Sequence, residues 1–238
     1  MSGGESVVRF SLRQRIEHVV IMLLFVVLSL TGFPQKFYGS AWAAVVADAL
    51  GGVPAMRFIH RSAGLLLGAF TLAHFSFVLT GLVVRRSPPS MIPTRQDFRD
   101  VVQMLRYYLR LADTPARFDR FDYREKFEYW GLVFGNLIMV STGLVLLFPI
   151  LVAHYLPGEL IPAAKIAHSS EGLMAFLVVI TWHIYNAHFA PDVFPFNKTI
   201  FTGKISKEHL QKDHPLEYER LFPAEAASEP VADSAKDA

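Results

Sequence analysis

The chain has no cysteine among its 238 residues. This absence excludes disulfide bonds, iron–sulfur clusters held by thiolates of this chain, and covalent attachment of a c-type haem. Any such centre that takes part in the protein's function must belong to another polypeptide. Charge is also scarce, because only 18% of the residues are Asp, Glu, Lys or Arg, whereas 52% are hydrophobic. That composition is too apolar for an ordinary soluble domain of this length.

Charged residues are nearly absent from four stretches that are long enough to cross a bilayer as helices, which takes about 20 apolar residues. No cleavable signal peptide is recognisable, because the first apolar run follows basic residues without a small-residue cleavage site. We predict an all-α membrane protein: a four-transmembrane-helix haem-binding bundle over residues 1–222, with a disordered tail at 223–238. The four stretches are 16–33, 57–84, 126–150 and 163–189.

The basic residues are unevenly distributed among the connections. The connection 85–126 is rich in arginine, whereas 34–56 has only Lys36 and 150–162 has no Lys or Arg. Since Lys and Arg concentrate in cytoplasmic loops, we predict that both termini and the arginine-rich connection face the cytoplasm of a prokaryote. Thr94 and Asp97 have the spacing of a capping box, and apolar residues follow at helical spacing. These signals predict a cytoplasmic surface helix at 95–111.

Four of the nine histidines form two matched pairs within the apolar stretches. His60 and His74 are fourteen residues apart, and His168 and His183 are fifteen apart. Each spacing corresponds to roughly 21–23 Å along a helix, so two such helices would carry histidine layers near opposite sides of a bilayer. Imidazoles that face each other across a helix bundle suit a six-coordinate haem iron. Ionisable groups at membrane depth are expensive and usually functional.

In the predicted topology His60 and His168 form the outer layer. Each is followed four residues later by a glycine, which leaves room for a flat macrocycle beside the helix. Arg57 and Arg61 lie at the same level and are candidates to bind haem propionates. The two glycines are Gly64 and Gly172.

The inner layer admits several arrangements. By depth alone, His74 and His183 match best and would hold a second haem. A third haem between His18 and His188 is also compatible with the spacing. In the alternative, a single inner haem lies between His18 and His183, with His74 and His188 as neighbours.

Small residues recur near the ends of the predicted helices as the dipeptide Thr-Gly. Close packing between helices explains such residues. The three copies are Thr31-Gly32, Thr80-Gly81 and Thr142-Gly143.

Several motifs occur together in a fixed order. They are Arg13–His18, Arg57–His60 with Gly64, His168 with Gly172, Trp182–Tyr185, Thr202–Ser206 and His214–Tyr218. This ordered set, over about residues 9–222, resembles the gamma (cytochrome b) subunit of membrane-bound formate dehydrogenase. More broadly, it resembles the four-helix cytochrome b family that includes the nickel–iron hydrogenase cytochrome b.

The resemblance implies two b-type haems, an outer one held by His60 and His168 and an inner one held by His18 and His183. This chain departs from the family pattern by carrying additional histidines at positions 74 and 188 and by the fifteen-residue spacing in its last helix. These departures leave the inner pairing open, and the number of haems at two or three.

The resemblance also implies a menaquinone or ubiquinone site beside the inner haem, near the cytoplasmic surface. The start of the third helix is a candidate wall of that site, through Asp122, Glu125 and Lys126. The predicted function is therefore that of an electron-transfer, quinone-reactive subunit of a respiratory oxidoreductase complex, rather than an enzyme by itself.

On the outer side, we expect an iron–sulfur or multihaem cytochrome c subunit as the partner. The other expected partners are quinone and the lipid bilayer, and we expect no binding of nucleic acid. Two readings from other classes remain: a structural membrane anchor for a soluble enzyme, and a histidine-based transition-metal transporter. The scarcity of carboxylates within the apolar stretches counts against the transporter.

Overall fold

A computed structural model describes residues 5–86, 88–191 and 193–228. In chain order the elements are β1 (Ser6–Val8), α1 (Leu12–Lys36), α2 (Ala41–Ala49), α3 (Gly52–Val83), α4 (Arg95–Tyr108), α5 (Tyr123–Leu147), α6 (Pro149–Tyr155), α7 (Leu160–Val178), two π-helical segments π1 (Val179–His183) and π2 (Tyr185–Phe189), α8 (Thr199–Thr202), β2 (Lys204–Ser206), α9 (Lys207–Asp213), α10 (Pro215–Leu221) and α11 (Pro223–Ser228).

The chain forms two compact units. The bundle unit consists of Leu12–Ser87 and Gly131–Asn197. The terminal unit consists of Met1–Ser11, Pro88–Trp130 and Lys198–Ala238, so it unites both ends of the chain with the middle connection.

Among the described residues, four helices are long and apolar enough to cross a membrane: Leu12–Lys36, Gly52–Val83, Tyr123–Leu147 and Leu160–Phe189. They coincide with the four predicted stretches, and only their ends differ by a few residues. Helical hydrogen bonding continues into the polar flanking turns, so a helix extends beyond its apolar run. Large apolar side chains such as Phe58 and Leu72 stay exposed, as they do where a helix faces lipid.

In the bundle unit, two short helices lie in the connections predicted to face outward. α2 leads into α3 through Gly51 and Gly52, which have φ angles of +87° and +88°. Only glycine adopts such angles without strain. α6 begins at Pro149, just after the end of α5, because proline fits the first turn of a helix but not its interior.

The terminal unit has a two-stranded antiparallel sheet in which Ser6 pairs with Ser206 and Val8 with Lys204. Its small core contains Ile205, Leu210 and Tyr218, with Val7 and Phe222 packed against it. The residues that resemble the family's tail therefore form this core and its strand.

α4 starts at the predicted Thr94 cap, where Asp97 accepts a hydrogen bond from the Thr94 N–H. The helix ends at Tyr108 rather than at residue 111. Within the segment predicted to be disordered, residues 223–228 form α11, and residues 229–238 lie outside the described part of the chain.

Candidate haem sites

The first facing histidine pair joins α3 to α7. The ring centroids of His60 and His168 are 6.2 Å apart, and the rings are inclined at 81°. These are the two histidines that the sequence predicts for the outer layer, and the structure brings them together.

The second pair joins α1 to π1. The ring centroids of His18 and His183 are also 6.2 Å apart, with the rings inclined at 40°. His183 is the last residue of a π-helical segment, in which hydrogen bonds run from residue i to i+5 and accommodate an extra residue. That insertion lies between His168 and His183, so it bears directly on their fifteen-residue spacing.

The other two candidate ligands have different surroundings. Nδ1 of His74 lies 3.3 Å from the Glu17 carboxylate. The ring of His188 stacks on Phe196 at a centroid distance of 4.3 Å and an angle of 6°. The imidazole that faces His183 is therefore that of His18, and spacing by depth along the helices selected a different partner, His74.

Both facing pairs fit an iron bound between two imidazoles. Imidazole nitrogens bind a first-row metal ion at about 2.0–2.1 Å. Two such bonds in line, together with the distance from each ring nitrogen to its ring centre, match a centroid separation of 6.2 Å.

A threonine on the neighbouring helix orients each outer histidine. Thr31 Oγ1 lies 2.9 Å from Nδ1 of His60, and Thr142 Oγ1 lies 3.0 Å from Nδ1 of His168. Each hydroxyl already donates its proton to a carbonyl of its own helix, that of Val27 for Thr31. The threonine oxygen therefore has a lone pair for an Nδ1–H, and the Leu28 and Met139 backbones also hydrogen-bond to His60 and His168, respectively. In the tautomer with the proton on Nδ1, Nε2 keeps its lone pair for a metal.

The glycine that follows each threonine lies against the same ring. A Cβ added at Gly32 would lie 3.1 Å from Cε1 of His60, and one at Gly143 would lie 3.3 Å from Cε1 of His168. By contrast, a Cβ at Gly64 would meet nothing within 4 Å.

The Thr-Gly pairs at positions 31–32 and 142–143 lie beside the two histidines, a location that the predicted role in helix packing does not include. The available signal was their repetition at positions 31 and 142, one helix before each outer histidine. The third copy shows why repetition alone is ambiguous, since the Thr80 hydroxyl donates only to the Ser76 carbonyl of its own helix.

Of the other predicted site residues, two arginines lie beside His60, whereas Lys126 belongs to the terminal unit. Arg57 and Arg61 flank His60 on α3 and are exposed. Lys126 lies in the terminal unit, where its ammonium is buried and donates to Asp97 Oδ1 at 2.7 Å. Burial acts to raise the pKa of Asp97, but the hydrogen bonds from Lys126 and Thr94 hold it below its ordinary value.

The other predicted wall residues also have partners within the terminal unit. Asp122 accepts from the Arg124 guanidinium at 2.7 Å, and Glu125 accepts from the backbone N–H of Asp122 at 2.9 Å. The Asp122 carboxylate is thus paired with Arg124, and the nearest cation to Glu125 among the ion pairs is Arg9, whose Nη2 lies 4.0 Å from Oε1 of Glu125.

A bundle of apolar helices with facing histidine pairs defines the class of membrane b-type cytochromes. The profile of the prokaryotic cytochrome b561 family matches residues 9–194. The chain therefore belongs to that family, which implies b-type haem. It is a multi-pass membrane cytochrome that works in electron transfer.

Two relatives cover nearly the whole chain. The cytochrome b556 subunit of formate dehydrogenase from Haemophilus influenzae is 22% identical over 218 residues, which are 92% of this chain and 84% of that protein. The formate dehydrogenase cytochrome b556(fdo) subunit of Escherichia coli K12 is 22% identical over 226 residues, which are 93% and 96% of the two chains.

Proposed function

We propose that this chain is the membrane-embedded b-type cytochrome subunit of a respiratory oxidoreductase complex. In this role it carries electrons across the inner membrane of a prokaryote, between an outer-side redox partner and the quinone pool. The observation that carries the proposal is the pair of histidine sites, which repeat one centroid separation of 6.2 Å on different helices.

In this proposal His60 and His168 would hold an outer haem, and His18 and His183 would hold an inner haem. When bound, the haem iron supplies reversible one-electron redox chemistry. Thr31 and Thr142 accept a hydrogen bond from the Nδ1–H of His60 and His168, and in this tautomer Nε2 of each of the two histidines is available as a ligand. Gly32 and Gly143 let the rings lie close to the neighbouring helix.

The distribution of basic residues supports cytoplasmic termini. Lys36 is the only basic residue in the connection 34–56, whereas the connection 85–126 is rich in arginine. This orientation places the pair of His60 and His168 near the outer surface and the pair of His18 and His183 near the cytoplasm.

The outer partner supplies the redox centres that this chain has no cysteine to hold. The relatives of this chain are subunits of formate dehydrogenase, which supports an oxidoreductase subunit as the partner. In this proposal that subunit carries iron–sulfur clusters or several c-type haems. The outer connections offer apolar side chains for docking: Tyr38, Val45, Ile150 and Tyr155 are at least 68% exposed. The direction of electron flow then follows from the partner's substrate.

The decisive experiment measures the haem content of the purified protein by pyridine haemochrome, together with a redox-titrated visible spectrum. Two b-type haems per chain with separate potentials are expected. Replacement of His60 or His168 by Gln should remove one component, and replacement of His18 or His183 should remove the other.

His154 is a matched control, because its ring packs on the adjacent Tyr155 and it belongs to neither facing histidine pair. His154→Gln should leave both haems in place. Three haems would mean that His74 and His188 are also ligands. A colourless protein made with adequate haem would contradict the proposal and favour a structural anchor or a metal transporter.

A further inference from the structure

The apolar side of α4 points out of the terminal unit. Its large apolar residues are all exposed, from 42% for Val101 to 72% for Phe98. They recur every three or four positions, which places them in one stripe along the helix. This α4 stripe consists of Phe98, Val101, Val102, Leu105 and Tyr108, and it continues to Leu109 just after the helix.

The inward-facing side of α4 carries carboxylates. Asp97 and Asp100 are both buried in the terminal unit. Asp97 accepts from the Lys126 ammonium at 2.7 Å, and Asp100 accepts from the Gln96 amide at 2.8 Å. A surface helix in water normally has the reverse arrangement, with its apolar side inward and its charges outward. The sequence of α4 therefore suits apolar surroundings on the outer side of the helix.

α4 is attached to the beginning of a membrane-crossing helix. Lys126, which holds Asp97, is on the first turn of α5. On the next turn of α5, Trp130 donates from Nε1 to the carbonyl oxygen of Met91, just before α4, at 2.9 Å. Tryptophan is enriched where a helix enters the bilayer. The apolar surroundings that lie next to α4 are consequently those of a lipid leaflet.

A row of arginines borders the α4 stripe on one side. Its members are exposed, and each is three or four residues away from Phe98 or Val102. With about 100° of rotation per residue, the three positions fall within about 40° of one another around the helix. None of them forms an ion pair with a carboxylate in the part of the chain that the structure describes. The arginine row consists of Arg95, Arg99 and Arg106.

We propose that α4 lies in the plane of the membrane, with the α4 stripe in the leaflet that contains the start of α5 and the arginine row on anionic phospholipid head groups. An apolar stripe bordered by basic residues is typical of helices that lie in a bilayer interface. Anionic lipids attract such basic segments. The arginine row favours a lipid surface over an apolar protein partner, because head-group phosphates supply anions at the edge of the apolar layer.

The absence of cysteine allows a nitroxide spin label to be placed at single positions of the full-length, haem-loaded protein. Val102→Cys places the label on the α4 stripe. Gln96→Cys is the matched control, because Gln96 is exposed on the side of the same helix away from the stripe. Both proteins are placed in nanodiscs that contain phosphatidylglycerol. Power-saturation electron paramagnetic resonance then measures the accessibility of each label to oxygen, which concentrates in lipid, and to a water-soluble nickel chelate.

The expected result is a label at position 102 that oxygen relaxes more strongly than the nickel chelate does, and the reverse order at position 96. If the chelate reaches position 102 as readily as position 96, the α4 stripe faces water and the proposal is overturned. If the label at position 102 is shielded from both reagents, protein covers the stripe, which in the purified sample is a second copy of this chain. That outcome also overturns the proposal.

The arginine row is tested by lipid selectivity, measured from the spectra of spin-labelled lipids bound to the protein. Each of Arg95→Gln, Arg99→Gln and Arg106→Gln should lower the preference for phosphatidylglycerol over phosphatidylcholine about fivefold. Arg117→Gln is the control, because Arg117 is also an exposed arginine of the terminal unit but pairs with Glu219. It should leave the preference unchanged, as all four substitutions should leave the haem content. Equal preferences in all four variants would contradict the role of the arginine row.

Discussion

The Thr142 hydroxyl oxygen lies 3.0 Å from Nδ1 of His168, and Thr31 stands in the same relationship to His60 at 2.9 Å. In both cases the threonine is on the preceding long helix, α1 for His60 and α5 for His168. The glycine after each threonine lies against the imidazole ring. The two histidines of this pair thus have the same local arrangement, which lies on α1 and α3 for His60 and on α5 and α7 for His168.

Removing the threonine hydroxyls should change the electronic properties of the outer haem without removing it. In Thr31→Val and Thr142→Val, the Nδ1–H loses its hydroxyl acceptor, which lowers the basicity of the ligand and loosens the orientation of the ring. We expect a shifted midpoint potential of the outer haem and altered low-spin signals in its electron paramagnetic resonance spectrum.

The inner haem should be unaffected by these two substitutions. Thr80→Val is the matched control, because the Thr80 hydroxyl bonds only to its own helix. If Thr80→Val shifts the outer potential as much as Thr31→Val does, the positioning role of the threonines is refuted.

Enlarging the glycines beside the outer histidines should displace the rings. A Cβ at Gly32 or Gly143 would already lie 3.1–3.3 Å from an imidazole carbon, so the larger side chain of leucine has no space. Gly32→Leu and Gly143→Leu should each lose the outer haem, measured as a fall from two haems to one. Gly131→Leu should keep both, since a Cβ there meets nothing within 4 Å.

Lys126→Met should destabilise the protein, because it leaves the buried Asp97 carboxylate without its cation. Breaking a buried ion pair from one side costs about 3–5 kcal/mol, whereas an exposed pair contributes about 0–1 kcal/mol. The Tm in detergent should therefore fall clearly for Lys126→Met and little for Arg117→Met, whose partner Glu219 is exposed. If Lys126 instead binds quinone, its loss would weaken quinone binding with little effect on the Tm.

The stability of the terminal unit should decrease in mild acid through His214. Burial, and then the neighbouring charge of Arg9, lowers the pKa of His214 below its ordinary value of 6.5. Below pH 6.5 the unfolded chain takes up a proton that the folded protein does not. The contribution to stability is thus complete above that pH and is lost as the pH falls toward the folded pKa.

The structural reason is that both ring nitrogens of His214 are engaged. Nδ1 donates to the Asp119 carbonyl at 2.7 Å, and Nε2 accepts from Arg9 at 3.0 Å. Thermal unfolding monitored by an environment-sensitive probe in the terminal unit should show a lower Tm at about pH 5.5 than at about pH 7.5. His214→Gln should flatten this dependence, and an unchanged slope in that variant would exclude His214 as its source.

The sequence by itself determined the membrane-spanning helices, because helix length and apolar composition are local properties that a bilayer tests directly. It also predicted the Thr94 start of α4 and the pairing of His60 with His168, whose rings face each other in the structure, while their location on the outer side stays a prediction. The start of α4 is signalled within that helix, by the spacing of Thr94 and Asp97. The histidine pair is signalled by a pattern that two helices share, a histidine followed four residues later by a glycine.

Histidine spacing left the partner of His183 open, and the tertiary structure brings His18 to face it, which is the pair that the family resemblance implies. Spacing along a helix reports depth but not rotation, and the π-helical segment Val179–His183 changes the rotation of His183 relative to His168. Depth therefore favoured His74, whereas the arrangement in space selected His18. The hydroxyl beside Nδ1 of each outer histidine likewise comes from a threonine on another helix, and a contact between two helices leaves no periodicity in either sequence.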